Sequence, residues 1–175
     1  VNGGTAPTVP WTGTSRALTQ VGTGTLAFAD ANAGTFSFSI DGVAGSKAIT
    51  RQIFATGITA PSVDYTDLWW NRNESGWGVS LTQQFGIIFA AWYAYDDAGA
   101  PVWYVASNCP VSGAGCTGVL YRVTGGAPLT AAWTAITPPI AVGNVAFAFT
   151  DAANGTMSYT INGVQSSRVI TRQVY

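Results

Sequence analysis

An all-β protein, an antiparallel meander sandwich or barrel of about ten to twelve strands built from one and a half copies of an internal repeat, is the fold this sequence predicts. Three observations predict it. Val21–Phe54 aligns without a gap to Val142–Tyr175 with half of the aligned positions identical, the mark of one supersecondary unit used twice. Within that unit the hydrophobic period is two: Phe36, Phe38 and Ile40 alternate with Thr35, Ser37 and Ser39, and Met157, Tyr159 and Ile161 alternate with Thr156, Ser158 and Thr160. No long window carries a helical period, although 47% of the residues are hydrophobic.

Residues 1–54 read as a half repeat of three to four strands. Asp30-Ala-Asn-Ala-Gly34 supplies a hairpin loop and Asp41-Gly42 a two-residue turn, so the unit is a three-stranded meander ending in Ile49-Thr-Arg-Gln52. Residues 55–64 are a short polar linker. Residues 65–175 then form a complete repeat of seven to eight strands, packed with the half repeat as one unit. Its strands are expected at Gly78–Gln84, Ile87–Tyr95, Pro101–Ser107 and Thr117–Thr124. The first pair is joined at Phe85-Gly86 and the next at Asp96-Asp-Ala-Gly99. Residues 127–141 are irregular, with Pro138-Pro139 barring a central strand. The second copy closes the chain, with Asp151-Ala-Ala-Asn-Gly155 and Asn162-Gly163 as its turns.

Cys109 and Cys116 flank Pro110–Gly115, a short loop that would let their sulfurs meet, and closing it contributes about 2.5 kcal/mol on the chain-entropy model. A disulfide implies an oxidising compartment. The opening Val1-Asn2-Gly3-Gly4 has neither a basic nor an apolar leader region; export is still the expectation, on the support of the cysteines and with any signal already removed. The longest apolar run, Ile87–Tyr95, is far too short for a membrane-spanning helix. A membrane barrel is disfavoured because the terminal aromatic Tyr175 has a mid-chain counterpart in Phe54, which makes that ending a property of the repeat.

Composition excludes several functions. With only 9% charged residues and a net charge of −1, the chain lacks the basic footprint of a nucleic-acid binder. It contains no histidine, which removes the usual acid/base partner of a serine or cysteine nucleophile. No cofactor motif or metal site is expected: Asp30-Ala-Asn32-Ala-Gly34 opens like a calcium loop but lacks the later ligands, and Asx-turn chemistry explains it.

Several residues together, Trp69-Trp70-Asn71, Glu74-Ser75-Gly76-Trp77-Gly78, Trp103-Tyr104, Gly118–Arg122 and the closing Ile-Thr-Arg-Gln, resemble a β-rich repeat of secreted proteobacterial proteins opened by a "WWNxxESGWG" box. The resemblance implies export and an appended or repeated module, and no activity. The N-terminal copy lacks the box.

Binding chemistry is concentrated in the aromatic cluster. Trp69, Trp70, Trp77, Trp92 and Trp103 are five of the seven tryptophans, and with Glu74 they are the candidate ligand or interface residues. Most are expected in the core. Trp69 and Trp70 are adjacent and cannot both point inward from a regular strand, so one of them is expected to be exposed. Glu74 is the best placed carboxylate for a glycosidase, which needs two such groups; the simpler expectation is pairing with Arg72 or capping of a turn. Arg51 and Arg172 occupy one repeat position between apolar neighbours and need acidic or carbonyl partners.

The expectation is a secreted, non-enzymatic structural protein that associates with copies of itself into an extracellular filament or surface assembly. A half repeat leaves a sheet edge that a second copy can complete. The alternatives are an extracellular module that binds polysaccharide through exposed tryptophan and, behind it, a glycosidase built on Glu74.

Overall fold

The computed structural model describes residues 3–13, 18–57 and 61–174. Among them are eleven antiparallel strands and no helix: β1 Gly22–Phe28, β2 Ala33–Ile40, β3 Val43–Thr50, β4 Asp67–Trp70, β5 Gly78–Gln84, β6 Ile87–Tyr95, β7 Pro101–Ser112, β8 Gly115–Val123, β9 Ile140–Phe149, β10 Asn154–Ile161 and β11 Val164–Arg172. β4 to β11 form a closed eight-stranded barrel in which each strand pairs with its sequence neighbours, and β1-β2-β3 form a separate sheet. The chain divides into two compact units. The barrel unit takes Val1–Ala17, Ala55–Thr124 and Pro138–Tyr175, and the sheet unit takes Leu18–Phe54 and Gly125–Thr137. The opening residues therefore group with the barrel, and residues 125–137 group with the three-stranded sheet.

Strand alternation builds the barrel core. Ile88, Ala90, Trp92 and Ala94 of β6 are buried, as are Val145, Phe147 and Phe149 of β9 and Met157, Tyr159 and Ile161 of β10. Their neighbours face outward, and over β9 to β11 these include Asn144, Ser158 and Gln165 together with the exposed Val164 and Val169. Among the described residues no helix is long and apolar enough to cross a membrane.

Two strands differ from expectation. β4 was not foreseen, because four residues containing a Trp pair carry no readable alternation. β7 runs on to Ser112, so Pro110–Gly115 is the end of a hairpin rather than a flexible loop. Val111 lies opposite Cys116 and Ser112 opposite Gly115, with the turn at Gly113-Ala114. The Cys109–Cys116 disulfide ties β7 to β8.

The motifs at the two ends of the complete repeat meet at the seam that closes the barrel. Thr171 and Arg172 lie opposite Trp70 and Trp69, and the Gln173 amide continues the ladder by donating to Leu68 O at 2.8 Å. Trp69 is fully buried, with its indole N–H on Tyr65 O at 3.0 Å and its ring 5.1 Å from Phe149. The opening box and the closing Ile-Thr-Arg-Gln are therefore one structural device.

The sheet unit repeats the pairing of β9 to β11. Gly22 faces Ile40 and Ile40 faces Val43, as Gly143 faces Ile161 and Ile161 faces Val164. Both Asx-Gly turns are left-handed, at Asp41-Gly42 and Asn162-Gly163. With no opening box to supply a strand like β4, β3 is an edge. Leu26, Phe36 and Lys47 form one cross-strand row and Gly24, Phe38 and Gly45 the next; Lys47 Nζ donates to Ala131 O at 3.5 Å. Phe38 is buried, whereas Leu26 is 56% and Phe28 70% exposed.

Candidate functional site

Three of the sequence candidates, Glu74, Trp77 and Trp92, meet at one mouth of the barrel. The β4–β5 connection starts with an Asx turn in which Asn71 Oδ1 accepts the Asn73 amide at 3.0 Å, and the Glu74 amide then donates to Asn71 O. This turn aims the Glu74 carboxylate inward. Its Oε2 accepts the Trp77 indole N–H at 3.2 Å and its Oε1 meets the Arg168 guanidinium at 3.4 Å. The expected partner, Arg72, is exposed. Arg168 stands 94 positions further along the chain, and only barrel closure brings it near.

Below this ion pair lies an aromatic cluster. Trp77 meets Trp92 edge to face at 6.4 Å between centroids, and Trp92 packs against Tyr104 at 5.3 Å and Tyr159 at 4.6 Å. Trp92 and Arg122 carry the buried donors, Nε1 and Nε, that have no acceptor among the described residues. An unpaired buried donor costs about 1–3 kcal/mol and calls for an explanation. Burial raises the Tyr104 phenol above its ordinary pKa, against the opposing pull of the Arg122 charge.

Sequence reading missed what covers the mouth. Residues 3–12 form an arm laid across it: Tyr159 donates its hydroxyl to Pro7 O at 2.9 Å and Arg168 donates to Val9 O at 2.9 Å. Ala6 is buried. Thr5, Ala6, Pro7, Trp11, Trp77 and Trp92 enclose a remaining space of about 10 Å³, room for one water-sized probe. The only hint in the sequence is the Pro7-Thr-Val-Pro10 segment, which breaks any strand there.

The other candidates lie elsewhere. Trp69 is at the seam and Trp70 is half-buried beside it. Trp103, by contrast, is 56% exposed and sits edge to face with Tyr93, itself 45% exposed, at 5.7 Å on the outside of β6 and β7. Arg172 meets Asp67 at 3.2 Å and donates to the carbonyls of Ala152 and Asp64, while Arg51 donates from Nε to Ala31 O at 2.9 Å. The calcium-like loops are Asx turns: Asp30 Oδ1 accepts the Asn32 and Ala33 amides, and Asp151 Oδ1 those of Ala153 and Asn154. These bonds, Ala153 first, hold the Asp151 carboxyl below its ordinary pKa. No cluster of three metal-ligating side chains exists among the described residues.

Chemically, the mouth can stack rings, accept carbonyls and hold an ion pair. Among the described contacts of Glu74 there is no second carboxylate, and hydrolysis of a glycoside requires two. A shallow groove of about 460 Å³ on β8 to β11 is lined mostly by Ser, Thr, Asn and Gln, with Val145, Ala146 and Tyr159 and no charged group. No family model, curated protein or solved structure matches the chain.

Proposed function

We propose that this chain is a secreted, non-enzymatic structural protein that associates with copies of itself into an extracellular filament or surface assembly. One observation carries the reading. Leu26 and Phe28 are 56% and 70% exposed, whereas Phe147 and Phe149, at the same repeat positions, are 3% and 6% exposed in the barrel core. A face whose twin is a protein core is an interface by composition. Its two edge strands, β1 and β3, add unpaired backbone groups.

A second apolar surface lies on the barrel unit. Tyr93, Trp103 and Val123 stand in one exposed cross-strand row. Two different sticky surfaces on one chain favour head-to-tail contacts, which propagate instead of closing. Sparse charge removes the repulsion that would oppose this, and the disulfide fits an oxidising exterior. Sedimentation and electron microscopy of concentrated native protein test the reading: oligomers that lengthen with concentration are expected, and a strictly monomeric chain overturns it.

Polysaccharide binding has its own support, in the exposed Tyr93–Trp103 pair. On that reading a glycan perturbs tryptophan fluorescence, Trp103→Ala abolishes the response, and Trp70→Ala does not. A glycan array without hits removes it.

A further inference from the structure

We infer that the mouth of the barrel is a docking site for the Thr5–Thr12 turn of a second copy of this chain, the segment that also fills it from its own. The inference rests on the assembly reading above and names its connector.

The turn carries its own shape. The Val9 amide bonds back to Ala6 O at 3.4 Å with Pro7 at the second position, where its fixed φ suits a tight turn. The Thr5 and Thr12 hydroxyls, 3.0 Å apart, close the neck, and the Thr12 amide donates to Thr5 Oγ1. A turn built by its own bonds presents the same surface to any mouth that meets it.

The mouth reads two of its backbone oxygens, Pro7 O through Tyr159 and Val9 O through Arg168, while the Trp77 and Trp92 rings flank Ala6 and Pro7. At the rim Thr8 donates to Asp97 and the Gly3 amide to Gly99 O. Among the described residues no strand pairing joins the arm to the barrel, and the fit leaves the Trp92 N–H without an acceptor there. Such a contact is specific and also releasable.

Chain order makes release consequential. Leu18–Phe54, which belong to the other compact unit, separate the arm from the first barrel strand. The arm and the first barrel strand are therefore far apart in the chain, and a neighbour's arm can compete for the mouth. Exchange of an identical element is a low-cost route to association. Each chain has one arm to give and one mouth to receive, so exchange closes a reciprocal pair or, where the arm goes to a third chain, runs head to tail.

The chain carrying Gly4→Val tests this. A Cβ at position 4 would stand 1.9 Å from the buried Tyr95 ring, so the substitution expels the arm. Ala6→Trp, whose indole exceeds the space of about 10 Å³ beside it, is the second variant. Each is titrated calorimetrically with a capped peptide of residues 3–12. Saturable one-to-one binding is expected, at least tenfold tighter than to the unsubstituted chain, and at least tenfold weaker when Pro7 of the peptide is Gly or when the chain also carries Arg168→Ala. No binding to either variant, with circular dichroism unchanged, overturns the proposal, as does equal binding of the Gly peptide. Sedimentation of the unsubstituted chain separates the two readings. Peptide binding in a monomeric chain keeps the site and removes the assembly, and assembly without peptide binding does the reverse.

Discussion

The guanidinium of Arg172 lies 5.2 Å from the centroid of the Trp69 ring, across the seam where β11 meets β4. The same side chain pairs with Asp67 and reaches three carbonyls, so with Trp69 one residue ties five neighbours at the place where the barrel closes. Arg172→Ala is expected to destabilise the protein by about 2–3 kcal/mol, from the lost cation–π contact and the charged hydrogen bonds. Arg172→Lys retains the charge without the fork and should fall between. Arg51→Ala removes the repeat-equivalent side chain, which is exposed and bonded to Ala31 O, and should cost less than about 1 kcal/mol. Urea unfolding of the three variants measures this, and equal losses at positions 51 and 172 would refute the seam argument.

The Cys109–Cys116 disulfide is buried in the barrel core. Reductant alone should react slowly with the native protein, because the sulfurs are reached only by opening the β7–β8 hairpin. With moderate urea present the reaction should accelerate. Replacing both cysteines by Ala is expected to lower stability by about 2.5 kcal/mol on the chain-entropy estimate. Thiol labelling with and without urea distinguishes this from an exposed bond, for which the two rates would agree.

Alternation was legible wherever one strand face is buried and the other wet, as in β2 and β10, and the Asx-Gly turns announced themselves. β4 was not legible, since Trp69-Trp70 blurs inside and outside, and its strand identity comes from Thr171 and Arg172 far along the chain. The partner of Glu74 was hidden for the same reason: local spacing favours Arg72, whereas closure delivers Arg168. Trp77 and Trp92 look alike to Trp103 in sequence, yet the pleat turns Trp92 inward and Trp103 out. The arm over the mouth has no periodicity to read at all.

Tyr104 gives the barrel a pH dependence with a definite sign. Burial holds its phenol neutral in the folded state, so its folded pKa lies above the unfolded value. The stabilisation is complete below the unfolded pKa near 10 and is lost as pH rises through the folded one. The urea midpoint should fall as pH rises above the unfolded value near 10, and Tyr104→Phe should flatten that fall while changing little at pH 7. An identical alkaline loss in the variant would assign it to other groups.

Because Leu26 and Phe147 share a repeat position but not an environment, the same substitution should act on different properties in the two copies. Phe147→Ser and Phe149→Ser remove buried rings and bury a hydroxyl, and each is expected to cost about 3–5 kcal/mol of barrel stability. Leu26→Ser and Phe28→Ser change exposed side chains; on the monomer's stability they should act within about 1 kcal/mol. If the β1–β3 face is where copies meet, the Leu26→Ser, Phe28→Ser double variant should sediment as a monomer at concentrations where the unsubstituted chain forms oligomers. The measurement pairs a urea melt with sedimentation velocity on each variant. A double variant that assembles as well as the parent would move the interface away from this face, leaving the Tyr93–Trp103 row or the arm to account for the contact.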